Sequence, residues 1–249
     1  MCRSFGVDVM KPFFENDRVV LFCGDSRVIL PSLTVCDLLL TDPPYGNNYR
    51  SNDREVLGKM LEVRGDEDLP MVREILGLSW KKLKINRHGY IFGPTTPSNV
   101  VPMEVGGITE IIWNKSAMSG GNLSLPWGTS HEKIWFGVKR YVGKRAASTG
   151  NASARLRKGT VISCNRVGET SRTHPTQKPV SLLSQLVEMS SNIGETILDP
   201  FAGTGSSLIA SILEGRKAIG IEIEEEYCRI AVEHISKATK LRESIEKFK

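Results

Sequence analysis

Short apolar runs closed off by turn-forming residues recur along this 249-residue chain. They predict strands over Val19 to Cys23, Asp37 to Thr41, Gly89 to Phe92, Thr109 to Trp113, Lys133 to Val138, Thr196 to Asp199 and Ala218 to Glu222. Three segments instead repeat their apolar residues at helical spacing: Val180, Leu183, Leu186 and Val187; Leu208, Ile209, Ile212 and Leu213; Tyr227, Ile230, Ala231, His234 and Ile235. Pro179 suits the first turn of the first helix and Gly215 the end of the second. The C-terminal half thus alternates helix, strand, helix, strand, helix. Strands joined through helices pair in parallel by right-handed crossovers, so the pattern predicts an α/β fold with a doubly wound, mostly parallel, seven-stranded sheet.

Composition narrows the class. A chain of this length with 40% hydrophobic residues can bury one full core, which predicts a single domain over 1–249. No stretch is long and apolar enough to span a bilayer, and the first residues lack the apolar centre of a signal peptide, so a cytoplasmic protein is expected. The five cysteines are scattered and never form a CxxC pair, which speaks against a disulfide framework and predicts no metal site. Net charge is +5, but between Val138 and Thr173 nine basic residues stand against one acid, leaving the rest of the chain slightly acidic. A concentrated basic segment suits a polyanion, although a solvated charge run has the same composition.

Two acids at predicted strand ends carry the chemistry. Asp199 closes an apolar strand and leads through Pro200-Phe201-Ala202-Gly203-Thr204-Gly205-Ser206 into a helix. Such a glycine turn lets backbone approach a ligand at the carboxyl end of a strand. The dinucleotide pattern GxGxxG is not matched, and an acid at the strand tip suits an ammonium, as in a nucleoside amino acid. Glu222, at the end of the next strand, can accept both hydroxyls of a ribose; a surface carboxylate opening an acidic run is the alternative. Far upstream, another strand ends in Asp42-Pro43-Pro44-Tyr45. Two prolines stiffen the backbone and hold the Asp42 carboxylate, the Pro43 carbonyl and the Tyr45 ring in fixed relation. Those two acceptors can take both hydrogens of an exocyclic base amino group and localise its lone pair, while Tyr45 stacks on a flipped base. A plain tight turn is the alternative for this tetrapeptide.

Asp42-Pro43-Pro44-Tyr45 together with the Phe201-to-Gly205 turn resembles the signature of the DNA amino-methyltransferases, and His174-Pro175-Thr176-Gln177-Lys178-Pro179 resembles that family's third cofactor-binding motif. Their order, catalytic motif first and cofactor turn last, is that of the family's beta group. Phe22-to-Ser26, Ile111-to-Lys115, His131-to-Phe136 and Gly220-to-Ile223 extend the likeness, which covers most of Val19 to Ile235. The resemblance implies the Rossmann-like sheet of S-adenosylmethionine-dependent methyltransferases, S-adenosylmethionine as cofactor, DNA as partner, and methyl transfer to adenine N6. Cytosine N4 is the alternative target; Asp before Pro-Pro-Tyr is the family's adenine form and Ser its cytosine form.

Residue by residue, the resemblance makes Asp42, Pro43, Pro44 and Tyr45 catalytic. It assigns the cofactor to Asp25, His174, Thr176, Gln177, Lys178, Asp199, Phe201, Ala202, Gly203, Thr204, Gly205, Ser206 and Glu222. His174 is equally explained as a turn residue ahead of a helix. By analogy with the beta group, a homodimer is expected. A long target-recognition insert is missing; the interval holds only the basic stretch, whose Lys139, Arg140, Lys144, Arg145, Arg155, Arg157 and Lys158 become the DNA-binding set, with low specificity or a short site. Trp80, Trp113, Trp127 and Trp135 read as core or interface residues, and Lys81, Lys82, Lys84 and Arg87 as a solvated helix face, with phosphate contacts as the alternative. Two readings from other classes compete: a catalytically silent DNA-binding module, and a nicotinamide-dependent oxidoreductase resting on fold alone.

Overall fold

The computed structural model describes residues 11–44, 69–97, 101, 108–116, 126–140, 158–166 and 177–248. In chain order the strands are β1 (Phe14–Glu15), β2 (Val19–Cys23), β3 (Cys36–Thr41), β4 (Leu83–Phe92), β5 (Ile108–Asn114), β6 (His131–Val138), β7 (Val161–Ser163), β8 (Thr196–Asp199) and β9 (Lys217–Glu222). The helices are α1 (Ser26–Ile29), α2 (Leu69–Lys82), α3 (Val180–Ser190), α4 (Ser206–Leu213) and α5 (Glu225–Lys247). Among the described residues nine strands join one sheet in the order β1-β2-β9-β8-β3-β4-β6-β5-β7. Five of its eight pairings are parallel; β1 with β2, and β6 with both β4 and β5, are antiparallel.

Each central strand buries both faces because its residues alternate between two helical layers. On β3, Leu38 and Leu40 pack with Leu182, Leu183 and Leu186 of α3. Leu39 points the other way, into a cluster with Val72, Ile75 and Trp80 of α2 and Ile29 of α1. α5 places Cys228, Ala231 and Ile235 on one face at helical spacing, against Val19 and Leu21 of β2. Burying each of the Leu, Ile and Val side chains among these contributes roughly 1.5–3 kcal/mol.

Seven of the nine strands lie where the apolar runs predict them. The other two, β1 and β7, have two and three residues, too few to show any period. β4 begins six residues earlier than predicted, at Leu83, because its first half is polar; Asn86 there adopts φ 61° and the register to β3 shifts. α2 escaped the pattern, with Pro70 in its first turn and Gly77 inside it. Lys82, Lys84 and Arg87 do not form the solvated helix face expected. Lys82 donates to the carbonyls of Pro31 and Leu33, while Lys84 and Arg87 belong to β4 and pair with the buried Asp37. Trp80 and Trp113 are core residues and Trp135 packs beside the core, whereas Trp127 is 87% exposed, which removes the core option and leaves the interface option for that residue.

From β8 the chain crosses through α4 to β9 on one side; from β3 it crosses through α2 to β4 on the other. β8 and β3 are adjacent and parallel. Their carboxyl ends therefore flank the point where the winding reverses, which is where open α/β sheets bind ligands.

Candidate functional site at the carboxyl ends of β3 and β8

A cleft partly open to solvent lies at that point, with Asp42, Asp199, Lys178, Phe201 and Gly203 among its walls. Asp199 is 4% exposed. Its Oδ1 accepts from Thr41 Oγ1 at 2.8 Å and from the backbone N–H of Phe201 at 3.0 Å, and its Oδ2 accepts from the Ser207 hydroxyl. Burial pushes its pKa up to about 6, against the pull of these bonds. Thr41 thus ties the end of β3 to the tip of β8, one residue before Asp42.

The turn after β8 is shaped by Glu222 at the tip of β9. Its Oε2 accepts from the N–H of Gly203 at 2.8 Å and its Oε1 from the N–H of Glu224 at 2.9 Å. Burial raises the Glu222 pKa, and those backbone bonds oppose the rise. Gly203 and Gly205 hold φ of 52° and 85°, a region costly for any residue with a Cβ. A Cβ on Gly203 would meet nothing within 4 Å, so its Cα faces open space, as close approach by a ligand requires. On Gly205 a Cβ would press on Ala231 of α5 at 3.2 Å; that glycine serves packing. Gly24 N–H donates to the Glu222 carbonyl at 2.8 Å and Ser26 Oγ to the Pro200 carbonyl at 2.7 Å, fixing the end of β2 beside the turn. Asp25 caps α1 and pairs with Arg27, whose guanidinium lowers its pKa.

Across the cleft, Asp42 Oδ2 accepts from the Lys178 ammonium. Lys178 also lies 3.3 Å from Glu132 Oε2 and 5.2 Å from the centre of the Phe92 ring. Lys115 holds the other Glu132 oxygen at 2.7 Å. Burial works against the Lys178 charge, but the Asp42 and Glu132 carboxylates outweigh it and raise its pKa; Glu132 in turn is lowered by Lys178 and Lys115 despite its own burial.

The structure therefore brings Asp42, Gln177, Lys178, Asp199, Phe201 to Thr204 and Ser206 around one cleft. Pro43 and Pro44 follow Asp42, whereas Tyr45, His174 and Thr176 lie outside the described residues. Of the basic set, Lys144, Arg145, Arg155 and Arg157 also lie outside them. Lys139 departs from its expected role: it donates to the carbonyls of Lys81 at 2.8 Å and Leu83 at 2.5 Å. Arg140 follows it, at the end of β6 remote from Glu132, a strand length of roughly 25 Å away. Lys158 is exposed and reaches Gln185 of α3 at 3.4 Å.

Sequence reasoning missed Thr41, Ser207, Phe92, Lys115 and Glu132 as site residues. The signal for the last two was present: charged residues at the ends of otherwise apolar strands. Among the described residues no group of three or more His, Cys, Asp or Glu converges as a metal site, and no helix is long and apolar enough to cross a membrane.

Residues 36–233 match the N6/N4 methyltransferase model, described as DNA methylase. The chain is 27% identical over 259 residues to the DNA adenine methyltransferase YhdJ of Escherichia coli (strain K12), covering 91% of this chain and 85% of that one. In fold it is similar to the M1.HpyAVI–SAM complex, with TM-score 0.63, 22% identity and coverage of 87% of this chain and 98% of that one. It is likewise similar to the cytosine-N4-specific PvuII DNA methyltransferase, with TM-score 0.64, 16% identity and 95% coverage of both chains.

Proposed function

The chain belongs to the N6/N4 family of DNA methylases, and from that premise we propose that it transfers a methyl group from S-adenosylmethionine to adenine N6 of DNA. The observation that carries the reading is the pair of acids, Asp42 and Asp199, at the ends of adjacent parallel strands across one cleft, tied together through Thr41. One acid serves a cation, the other an amino group.

The residues present fit the cofactor. A buried carboxylate that burial pushes up to about 6 is stabilised by a cationic partner, and the α-ammonium of an amino acid supplies one to Asp199. Glu222 accepts backbone N–H groups of Gly203, Glu224 and Ile223, and a carboxylate has about four acceptor positions, which leaves one for a ribose hydroxyl. The open space at Gly203 lets the turn approach the ligand's backbone-facing edge. Once bound, the cofactor supplies an electrophilic methyl group on a sulfonium. The protein's part is to orient the amino nitrogen. The Asp42 carboxylate and the Pro43 carbonyl accept its hydrogens, Tyr45 stacks on the base, and Asp42 takes up the surplus proton once nitrogen is methylated. Arg140, Lys144, Arg145, Arg155, Arg157 and Lys158 are the proposed phosphate contacts, now without Lys139. A homodimer is the proposed assembly, testable by sedimentation velocity.

The test is incubation with labelled S-adenosylmethionine and unmodified DNA, digestion to nucleosides and mass spectrometry, with Asp42→Ala in parallel. Label in N6-methyladenine that vanishes in the variant is expected. Label in N4-methylcytosine would keep the mechanism and overturn the target base. An absence of label in either base, with cofactor binding intact, would overturn the reading.

A further inference from the structure

Lys178 stands immediately before the N-cap of α3, in the segment whose resemblance assigns it to the cofactor. Its surroundings point elsewhere. The ammonium is held from two sides by carboxylates, Asp42 after β3 and Glu132 on β6, with the Phe92 ring of β4 beneath it. Behind Glu132 stands Lys115 at the end of β5, itself 5.4 Å from the centre of the Trp113 ring. The charges alternate: Lys115 just after β5, Glu132 on β6, Lys178 ahead of α3 and over Phe92 of β4, and Asp42 just after β3. Asp199 on β8, the other acid lining the cleft among the described residues, is held by Thr41, Ser207 and the Phe201 N–H.

A buried ammonium is costly unless its donors are matched by anionic acceptors. Lys178 is 7% exposed, donates to Asp42 and has the Glu132 carboxylate 3.3 Å away as a second counter-charge. Turning it toward a cofactor carboxylate would break the hydrogen bond to Asp42 and leave Glu132 with Lys115 as its cationic neighbour. Held as it is, it fixes one edge of the Asp42 carboxylate, and a carboxylate offers about four acceptor sites, so an ammonium on one oxygen does not preclude an amino hydrogen at another. The two prolines that follow stiffen the backbone of Asp42 but cannot set its side-chain torsions; an ion pair can.

We propose that Lys178 is a positioning residue for the methyl-transfer site, fixing the Asp42 carboxylate as an anionic acceptor and anchored in turn by Glu132 and Lys115, rather than a ligand of the cofactor. The proposal rests on the functional reading above, in which Asp42 receives the base amino group. Removing the cation leaves Asp42 with fewer partners for its charged form, so the carboxylate should protonate at higher pH and lose orientation together.

The experiment compares the full-length protein with Lys178→Met and Lys178→Arg. Three quantities are read: the S-adenosylmethionine dissociation constant by calorimetry, the single-turnover methylation rate against pH, and the Asp42 carboxyl titration by carbon-13 NMR without cofactor or DNA. Asp42→Asn identifies the resonance. For Lys178→Met the cofactor affinity should stay within about threefold, while the rate at pH 7 falls by about a hundredfold. Its acid limb and the Asp42 titration should both move upward by about one pH unit or more. Lys178→Arg should restore most of the rate. Should Lys178→Met fail to fold, Lys178→Gln keeps a donor, drops the charge and permits the same comparison. Cofactor affinity lost with the saturating rate unchanged would make Lys178 a cofactor ligand and overturn the proposal. A slower rate with an unmoved titration and no rescue by Arg would reduce it to structural support. Failure of the functional reading is separable, since the wild type would then label no DNA whatever the Asp42 titration does.

Discussion

Cofactor affinity should fall as the medium is acidified, with an inflection near pH 6. Asp199 has its pKa pushed up to about 6 by burial, partly countered by Ser207, the Phe201 N–H and Thr41. If the ammonium binds only the ionised carboxylate, the apparent dissociation constant scales as one plus the ratio of protonated to ionised Asp199. That factor is about 1.1 at pH 7 and about 11 at pH 5, a tenfold weakening worth about 1.4 kcal/mol. An α-amino group titrates near 7.7–8, so the ligand keeps its charge throughout this window. Calorimetry at pH 5, 6 and 7, in buffers of different ionisation enthalpy, reads both the affinity and the proton released, roughly half a proton at pH 6. Thr41→Val, which removes one bond to the carboxylate, should shift the inflection upward, and Asp199→Asn should abolish it. Glu222 is also raised by burial, so Glu222→Gln serves as the control for its share. A dissociation constant that stays flat from pH 5 to pH 7, with no proton released, refutes the assignment of the ammonium to Asp199.

Gly203→Ala should cost roughly 1 kcal/mol of stability from its φ of 52°. Because the new methyl group projects into open space, cofactor affinity should fall about tenfold or more; an unchanged affinity by calorimetry would remove the turn from the binding site. Gly89→Ala should do the converse, since its Cβ would lie 2.5 Å from the Trp80 ring: about 1–3 kcal/mol less stable in urea unfolding, with cofactor affinity intact. His88 is buried against Ser190, and burial, then Arg87, lowers its pKa to about 4. Its folded value lies below the ordinary 6.5, so the unfolded chain takes up the proton first and stability falls as pH drops from 6.5 toward 4. Asp199 acts oppositely in the cofactor-free protein: its folded value is raised, so its share of stability is present below about pH 4 and lost as pH rises through about 6. The two terms, on the order of 3 kcal/mol each, offset one another. Asp199→Asn should therefore show a steeper loss of thermal stability between pH 6.5 and 4 than the wild type; equal slopes would refute the opposed pair.

How far the sequence was legible follows from what each feature depends on. β8 and β9 were legible because short apolar runs ending in an acid announce a buried strand and its tip together. α3, α4 and α5 were legible because one apolar face at a period of 3.6 is a local property. α2 was not, because its Pro and Gly weaken local propensity and its burial is set by β3 and β4, distant in sequence. β1 and β7 exist only through the strands beside them, β2 and β5. Lys139 illustrates the limit of composition: it belongs to a basic segment, yet folding places it where two backbone carbonyls at the end of α2 take its donors.

By itself the sequence determined the α/β alternation, the acids at the ends of three strands and the glycine turn, since each follows from local periodicity, backbone sterics or residue type. Only the tertiary structure decided which strands are neighbours, and with that the chemistry of the cleft. Asp42 and Asp199 are 157 positions apart and share a cleft because β3 and β8 pair in parallel at the winding reversal. Lys178 meets Asp42 and Glu132, and Thr41 meets Asp199, through contacts between segments 46 to 158 positions apart. No local pattern encodes such meetings, because they arise from the burial of sheet faces and the satisfaction of buried charges across the whole domain.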